Sequence, residues 1–92
     1  MIKSFKCRDT EVMFNGKHIE RFIGMQSAAM RKLALLNAAG RIQDLRVPPG
    51  NRLEALKGKR QGQWRIRIND QWRICFRFEA GNAFDVEIVD YH

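Results

Sequence analysis

Hydrophobic residues recur at every second position through residues 63–78, QWRIRINDQWRICFRF: Trp64, Ile66 and Ile68, then Trp72, Ile74, Phe76 and Phe78. That is the period of a strand with one buried face. The interruption, Asn69-Asp70-Gln71, is short and rich in turn formers, so the two runs are expected to pair as an antiparallel hairpin. Successive side chains on a strand point to opposite faces, so one face gathers the apolar set and the other Arg65, Arg67, Arg73 and Arg77. After Glu79-Ala80-Gly81-Asn82, a second turn, a third strand is expected over residues 83–91. Phe84, Val86 and Ile88 would continue its apolar face, and Asp85, Glu87, Val89 and Tyr91 the other.

The N-terminal half carries a helical period instead. Residues 27–39 predict an amphipathic helix with Ser27 as N-cap, Gly40 as a left-handed C-terminal cap, and Ala29, Leu33 and Leu36 on its buried stripe. Arg31 and Lys32 lie off that stripe. Residues 1–5 suit a short strand with Ile2 and Phe5 partly buried. Asp9-Thr10 offers the N-cap of one or two helical turns closed by Asn15-Gly16. Ile19, Phe22 and Ile23 have helical spacing, as do Ile42 and Leu45, until Pro48-Pro49-Gly50 forces an irregular connection. Leu53 and Leu56 would anchor the charged segment 51–62. The expected fold is α+β in one domain, residues 1–92. Its N-terminal helices pack on one face of a small, mainly antiparallel sheet, a three-stranded meander augmented by the N-terminal strand.

Charge changes the picture on the face the helices leave uncovered. Seventeen Lys and Arg against ten Asp and Glu give a net charge of +7, which favours a polyanionic partner. Between residues 57 and 77 stand Lys57, Lys59, Arg60, Arg65, Arg67, Arg73 and Arg77, with Asp70 the single acid. A bland account pairs Arg73 and Arg77 with Glu87 and Asp85 across the sheet. Two acids satisfy only part of four arginines, and the surplus guanidinium forks match phosphate oxygens. Cys7 and Cys75 are expected to be free thiols of a reducing cytosol; no Cys or His cluster has zinc spacing. MIKSFKCRDT has no apolar core of a signal peptide, and no run is long enough to span a bilayer. A soluble cytoplasmic protein without metal, cofactor or membrane contact is expected.

Beside the arginine face lies Asp90-Tyr91-His92. Metal-free RNA cleavage needs a base for the ribose 2′-hydroxyl, cations for the charge gathering on phosphorus, and an acid for the leaving 5′-oxygen. Arg65, Arg67, Arg73 and Lys57 can supply charge, with Lys59, Arg60 and Arg77 as further phosphate contacts. His92, Tyr91, Asp90 and Glu54 are the available proton-transfer groups, and His92 alone titrates near neutrality when unperturbed. His18 lies far off in the sequence.

Leu56-Lys57-Gly58, Gln63-Trp64-Arg65-Ile66-Arg67, Gln71-Trp72-Arg73-Ile74, Asp90-Tyr91-His92 and the opening Met1-Ile2-Lys3-Ser4-Phe5 together resemble the HigB toxins of the RelE/ParE superfamily. The resemblance covers essentially the whole chain. It implies a RelE-like microbial RNase fold and the toxin of a type II toxin-antitoxin pair, which enters the A site of the 70S ribosome and cuts translated mRNA. It further implies inhibition by a HigA-type helix-turn-helix antitoxin, with operator DNA reached only through the toxin-antitoxin complex. On the same footing, Arg73 matches the family's phosphate-contacting arginine. Arg65 and Arg67 fall at basic positions, Lys57 at a basic active-site position, and Asp90, Tyr91 and His92 in the C-terminal catalytic group. Glu54 departs from the family, where a histidine can stand three residues before the lysine, so the general base stays open among Glu54, Asp90 and His92. A non-catalytic nucleic-acid-binding module and a ParE-like gyrase-targeting toxin are the alternatives on the same fold; a pure binder would have no need of the proton-transfer groups.

Overall fold

The computed structural model describes residues 1–90, so the expected placement of Tyr91 and His92 on the sheet lies outside the described residues. Helices α1 (Arg8–Phe14) and α2 (Gln26–Ala38) precede strands β1 (Glu54–Ala55), β2 (Trp64–Arg67), β3 (Trp72–Glu79) and β4 (Asn82–Asp90). The strands form one antiparallel sheet in the order β1-β2-β3-β4. The predicted hairpin is β2-β3, with Trp64 opposite Phe76 and Ile66 opposite Ile74 on the apolar face. Asn69 closes its turn: the side-chain Oδ1 accepts from the backbone N–H of Gln71 at 2.9 Å and of Trp72 at 2.8 Å.

The apolar face packs on the helices. Met13 of α1, Leu33 and Leu36 of α2, and Phe22, Leu45, Ile66, Ile74, Phe76 and Val86 are fully buried in one cluster. Each such side chain contributes about 1.5–3 kcal/mol through burial.

Several local expectations change. Helix α1 begins earlier than Asp9-Thr10 implied, with Cys7 at the N-cap. Thr10 is buried in its first turn, and its Oγ1 accepts the backbone N–H of Ile88 at 3.1 Å, which ties the helix to β4 instead of capping it. Ser27 is likewise inside α2, whose N-cap is Met25; its hydroxyl oxygen accepts from Arg31 at 3.3 Å. The chain leaves α2 through an extended Ala39, and Gly40 is not left-handed. Asp44 Oδ2 accepts the N–H groups of Gly40 (3.0 Å) and Arg41 (3.1 Å), which caps the start of the following 3-10 turn, Ile42–Arg46, while Ala39 N–H closes the end of α2 on the carbonyls of Leu35 and Leu36. The N-terminal segment runs parallel to β4 through two isolated bridges, Ile2 to Ala83 and Phe5 to Val86, without becoming a regular strand. Strand β1, two exposed residues with no apolar period, had no signal to announce it.

The largest departure is a bulge in β4. Cys75 faces Glu87 while Arg77 faces Phe84, so β4 carries one extra residue opposite Phe76. Asp85 sits there with φ +54°, in the left-handed region that Asp tolerates better than most residues. One extra residue reverses the alternation before it. Ala83, not Phe84, therefore reaches the core, and Phe84 shares the opposite face with Arg77.

Candidate active site

The sheet face opposite the helices carries a cavity of about 470 Å³. Glu54, Ala55, Leu56 and Lys57 form one wall, and Arg60 comes from the 3-10 turn Gly58–Arg60. Arg65, Cys75, Val89 and Asp90 come from β2, β3 and β4. Pairing of β1 with β2 sets Glu54 opposite Arg65, and the two side chains form an ion pair. Leu56 N–H then bonds Gln63 O at 2.9 Å, which pinches residues 57–62 into a flap. The flap delivers Arg60 across the sheet, where Nη1 donates to Glu87 Oε1 at 2.9 Å and to Gln63 Oε1 at 3.0 Å. That bond to Glu87 holds the Arg60 guanidinium above its ordinary pKa.

Cys75 has the parity of the polar face but is 2% exposed, beneath the cavity and close to Arg60 and Glu87. Burial pushes its thiol pKa up, which keeps it protonated. The polar face is thus partly roofed, contrary to the open surface the alternation implies.

At the hairpin-turn end of the same face Arg67 and Arg73 stand directly opposite each other. Arg67 Nη2 donates to Asp70, while Arg73 Nη1 donates to the carbonyls of Asn69 and, at 3.1 Å, Trp72. Burial, then the neighbouring charges of Arg67 and Arg65, press the Arg73 pKa below its ordinary value. An entering anion would relieve that crowding, because it cancels like-charge repulsion in a partly desolvated site.

The cross-strand ion pairs of the bland account do not form. Arg77 pairs with Glu79 of its own strand at 3.2 Å, and Glu87 is taken by Arg60. The bulge displaces Asp85 from the register that pairing required, and the flap brings a competing cation to Glu87. Arg65 and Arg67 in turn have the carboxylates of Glu54 and Asp70, acids that come from β1 and the hairpin turn and not from β4.

Of the residues singled out from sequence, Glu54, Lys57, Arg60, Arg65 and Asp90 share the cavity, and Arg67 and Arg73 lie on the same face beside the turn. Lys59 does not line it. Arg77 is separated from it, in a second cleft of about 180 Å³ with Ser4, Glu79, Phe84 and Asp85. Tyr91 and His92 follow Asp90, outside the described residues. Gln71, in sequence only a turn and motif residue, donates from Nε2 to Asp90 Oδ2 at 3.2 Å, so the hairpin turn steadies the residue that precedes Tyr91. A glutamine in a turn carries no sequence signal for that role. Among the described residues no group of His, Cys, Asp and Glu is arranged to hold a metal ion. Nor is any helix among them long and apolar enough to cross a membrane.

Residues 3–92 match a family described as the RelE-like toxin of type II toxin-antitoxin system HigB. The chain belongs to this family. It is 38% identical over 87 residues to Toxin HigB-1 of Vibrio cholerae serotype O1, covering 92% of both chains. It is 33% identical over 94 residues to Endoribonuclease HigB of Proteus vulgaris, with both chains fully covered. The fold is also that of two solved toxins. YafQ from E. coli superposes with a TM-score of 0.65 at 11% identity over 98% of this chain and 91% of that one. A YoeB/ParE toxin from Agrobacterium tumefaciens gives 0.57 at 18% over 98% and 99%. The four-stranded antiparallel sheet with its two helices is therefore the RelE-like fold, and membership of a type II toxin family implies an antitoxin as partner.

Proposed function

We propose that this HigB-family toxin is a metal-independent endoribonuclease that cuts translated mRNA in the ribosomal A site and so stops translation. The cavity carries the reading, because it places cations and carboxylates, the two components of phosphodiester cleavage, within one concavity. A base removes the 2′-hydroxyl proton, the 2′-oxygen bonds to phosphorus, and the bond to the 5′-oxygen breaks as an acid protonates it. A cyclic phosphate and a 5′-hydroxyl result. Arg65, Lys57 and Arg73 hold the phosphate and stabilise the negative charge of the pentacoordinate state. Arg67 and Arg60 bind flanking backbone, with Lys59 and Arg77 as outer contacts. Glu54, Asp90, Tyr91 and His92 are the proton-transfer groups.

Two cations of the cavity, Arg65 and Arg60, are already engaged by Glu54 and Glu87, which supports a site whose substrate geometry comes from the ribosome. Free RNA is cut poorly on this account. The partner antitoxin is of the HigA helix-turn-helix type, and operator DNA is met only in its company. The test compares wild type, Arg73→Ala and a His92 deletion in a translating extract, with cleavage ends mapped. Loss of cleavage in both variants is expected. Unchanged cleavage in both overturns the catalytic assignment, and rapid cleavage of naked RNA by the wild type overturns ribosome dependence.

A further inference from the structure

Arg67 has an incompletely used donor edge. Its Nη2 donates to a carboxylate oxygen of Asp70, while its Nε–H, screened from solvent, has no acceptor among the described residues. These two N–H groups form one side of the guanidinium fork, a side that phosphates and carboxylates fill with two oxygens. Asp70 engages only one of the two. Its side chain is 99% exposed, and the turn it belongs to is closed by Asn69 through hydrogen bonds in which the Asp70 carboxylate takes no part.

Asp70 is also the sole acid between residues 57 and 77 and sits among cations. The hydrogen bond and charge of Arg67, followed by Arg73 and Arg52, hold its carboxyl below the usual carboxylate range. It therefore stays charged wherever the toxin works, and it faces the edge an RNA phosphate would use.

We propose that Asp70 is a built-in substitute for a substrate phosphate: it occupies Arg67 in the unliganded toxin, and the RNA backbone must displace it. Residue 70 then sets the affinity of the turn end of the site. This rests on the reading of the arginine face as an RNA site. An exposed ion pair is weak, so displacement costs little, and a phosphate can satisfy both donors where Asp70 satisfies one. Removing the competitor should tighten RNA binding by about two- to fivefold at low salt, the range an exposed pair corresponds to. The gain should shrink as salt screens the pair.

The test uses a non-cleavable RNA oligonucleotide carrying 2′-O-methyl groups, with affinity followed by fluorescence anisotropy across a salt series. Wild type, Asp70→Asn, Asp70→Glu, Arg67→Ala and the double variant Asp70→Asn with Arg67→Ala are compared. Asp70→Asn should bind more tightly, Asp70→Glu should stay near wild type, and the gain should vanish when Arg67 is absent. No gain, or an equal gain without Arg67, overturns the proposal, the latter because it would be a general field effect. Arg65→Ala and Arg73→Ala in the same assay separate the two failures. If both weaken binding while Asp70→Asn changes nothing, only the role of Asp70 falls; if neither does, the RNA reading of the face falls with it.

Discussion

The two faces of the sheet follow different rules. On the helix side, Ile66 meets Ile74 and Ile74 meets Ile88 across the strands, buried in one cluster against which the half-buried Trp64, Trp72 and Phe78 pack. On the other side, Arg67 meets Arg73, Arg65 meets Cys75, and the arginines there and on the flap pair with carboxylates from a two-residue strand, a turn and β4. Apolar contact is non-directional and asks only that hydrophobic groups arrive on the same side. Charge pairing depends on which oxygen reaches which nitrogen, and the open face solves that locally while leaving positive charge in excess. One face holds the sheet together; the other carries the cavity and the arginines beside it.

If that division is correct, the largest stability loss comes from the helix side. Phe76→Ala should cost about 3–5 kcal/mol, as measured by urea unfolding, because it empties a fully buried position. On the open face the order inverts. Arg73→Ala should reduce mRNA cleavage in a translating extract by about 10²–10³-fold, the scale of removing one group that stabilises developing charge. Its unfolding midpoint should move less than half as far as that of Phe76→Ala. Equal stability losses at the two sites would break the comparison.

A smaller effect probes a buried polar bond that ties α1 to β4. Thr10→Val leaves the buried N–H of Ile88 without its acceptor and should cost about 1–3 kcal/mol, read from thermal or urea denaturation. A value near zero would mean that the core face does not depend on this tie. The two thiols sharpen the contrast further. Partial burial pushes the Cys7 pKa up, but hydrogen bonds from Thr10 and Asp9 and the charge of Arg21 outweigh it, so the net shift is downward; Cys75 is shifted upward by burial. Iodoacetamide at mildly alkaline pH should therefore label Cys7 well before Cys75, as followed by mass spectrometry. Comparable rates would show that the polar face is open above Cys75.

The β2-β3 hairpin, the long helix α2 and the sidedness of Trp64, Ile66, Ile74 and Phe76 were legible in the sequence, since a period of two or of 3.6 is a local property of the backbone. The ends of α1 and α2 were less so. Thr10 and Ser27 have the chemistry of caps, yet Thr10 was drawn to the Ile88 amide and Ser27 lies within its helix. Among site residues, Glu54, Lys57, Arg60, Arg65 and Asp90 do converge in the cavity. Gln71 could not have been picked out, because its role depends on Asp90 arriving 19 residues later beside the turn. Asp70 was visible only as a turn former and a lone acid.

The strand alternation by itself determined that four arginines would share the face opposite the apolar one, and the charge balance made that face the place to look for an anionic partner. Only the tertiary structure decided how that face is used. One extra residue at Asp85 reversed the parity of Phe84, set Ala83 into the core and took Asp85 away from the arginines. The flap of residues 57–62 carried Arg60 to Glu87 and sealed Cys75 beneath it. Alternation follows from successive dihedral angles along one strand, whereas ion pairing and cavity shape follow from register and from the paths of loops between strands, and a single residue inserted at a bulge resets both.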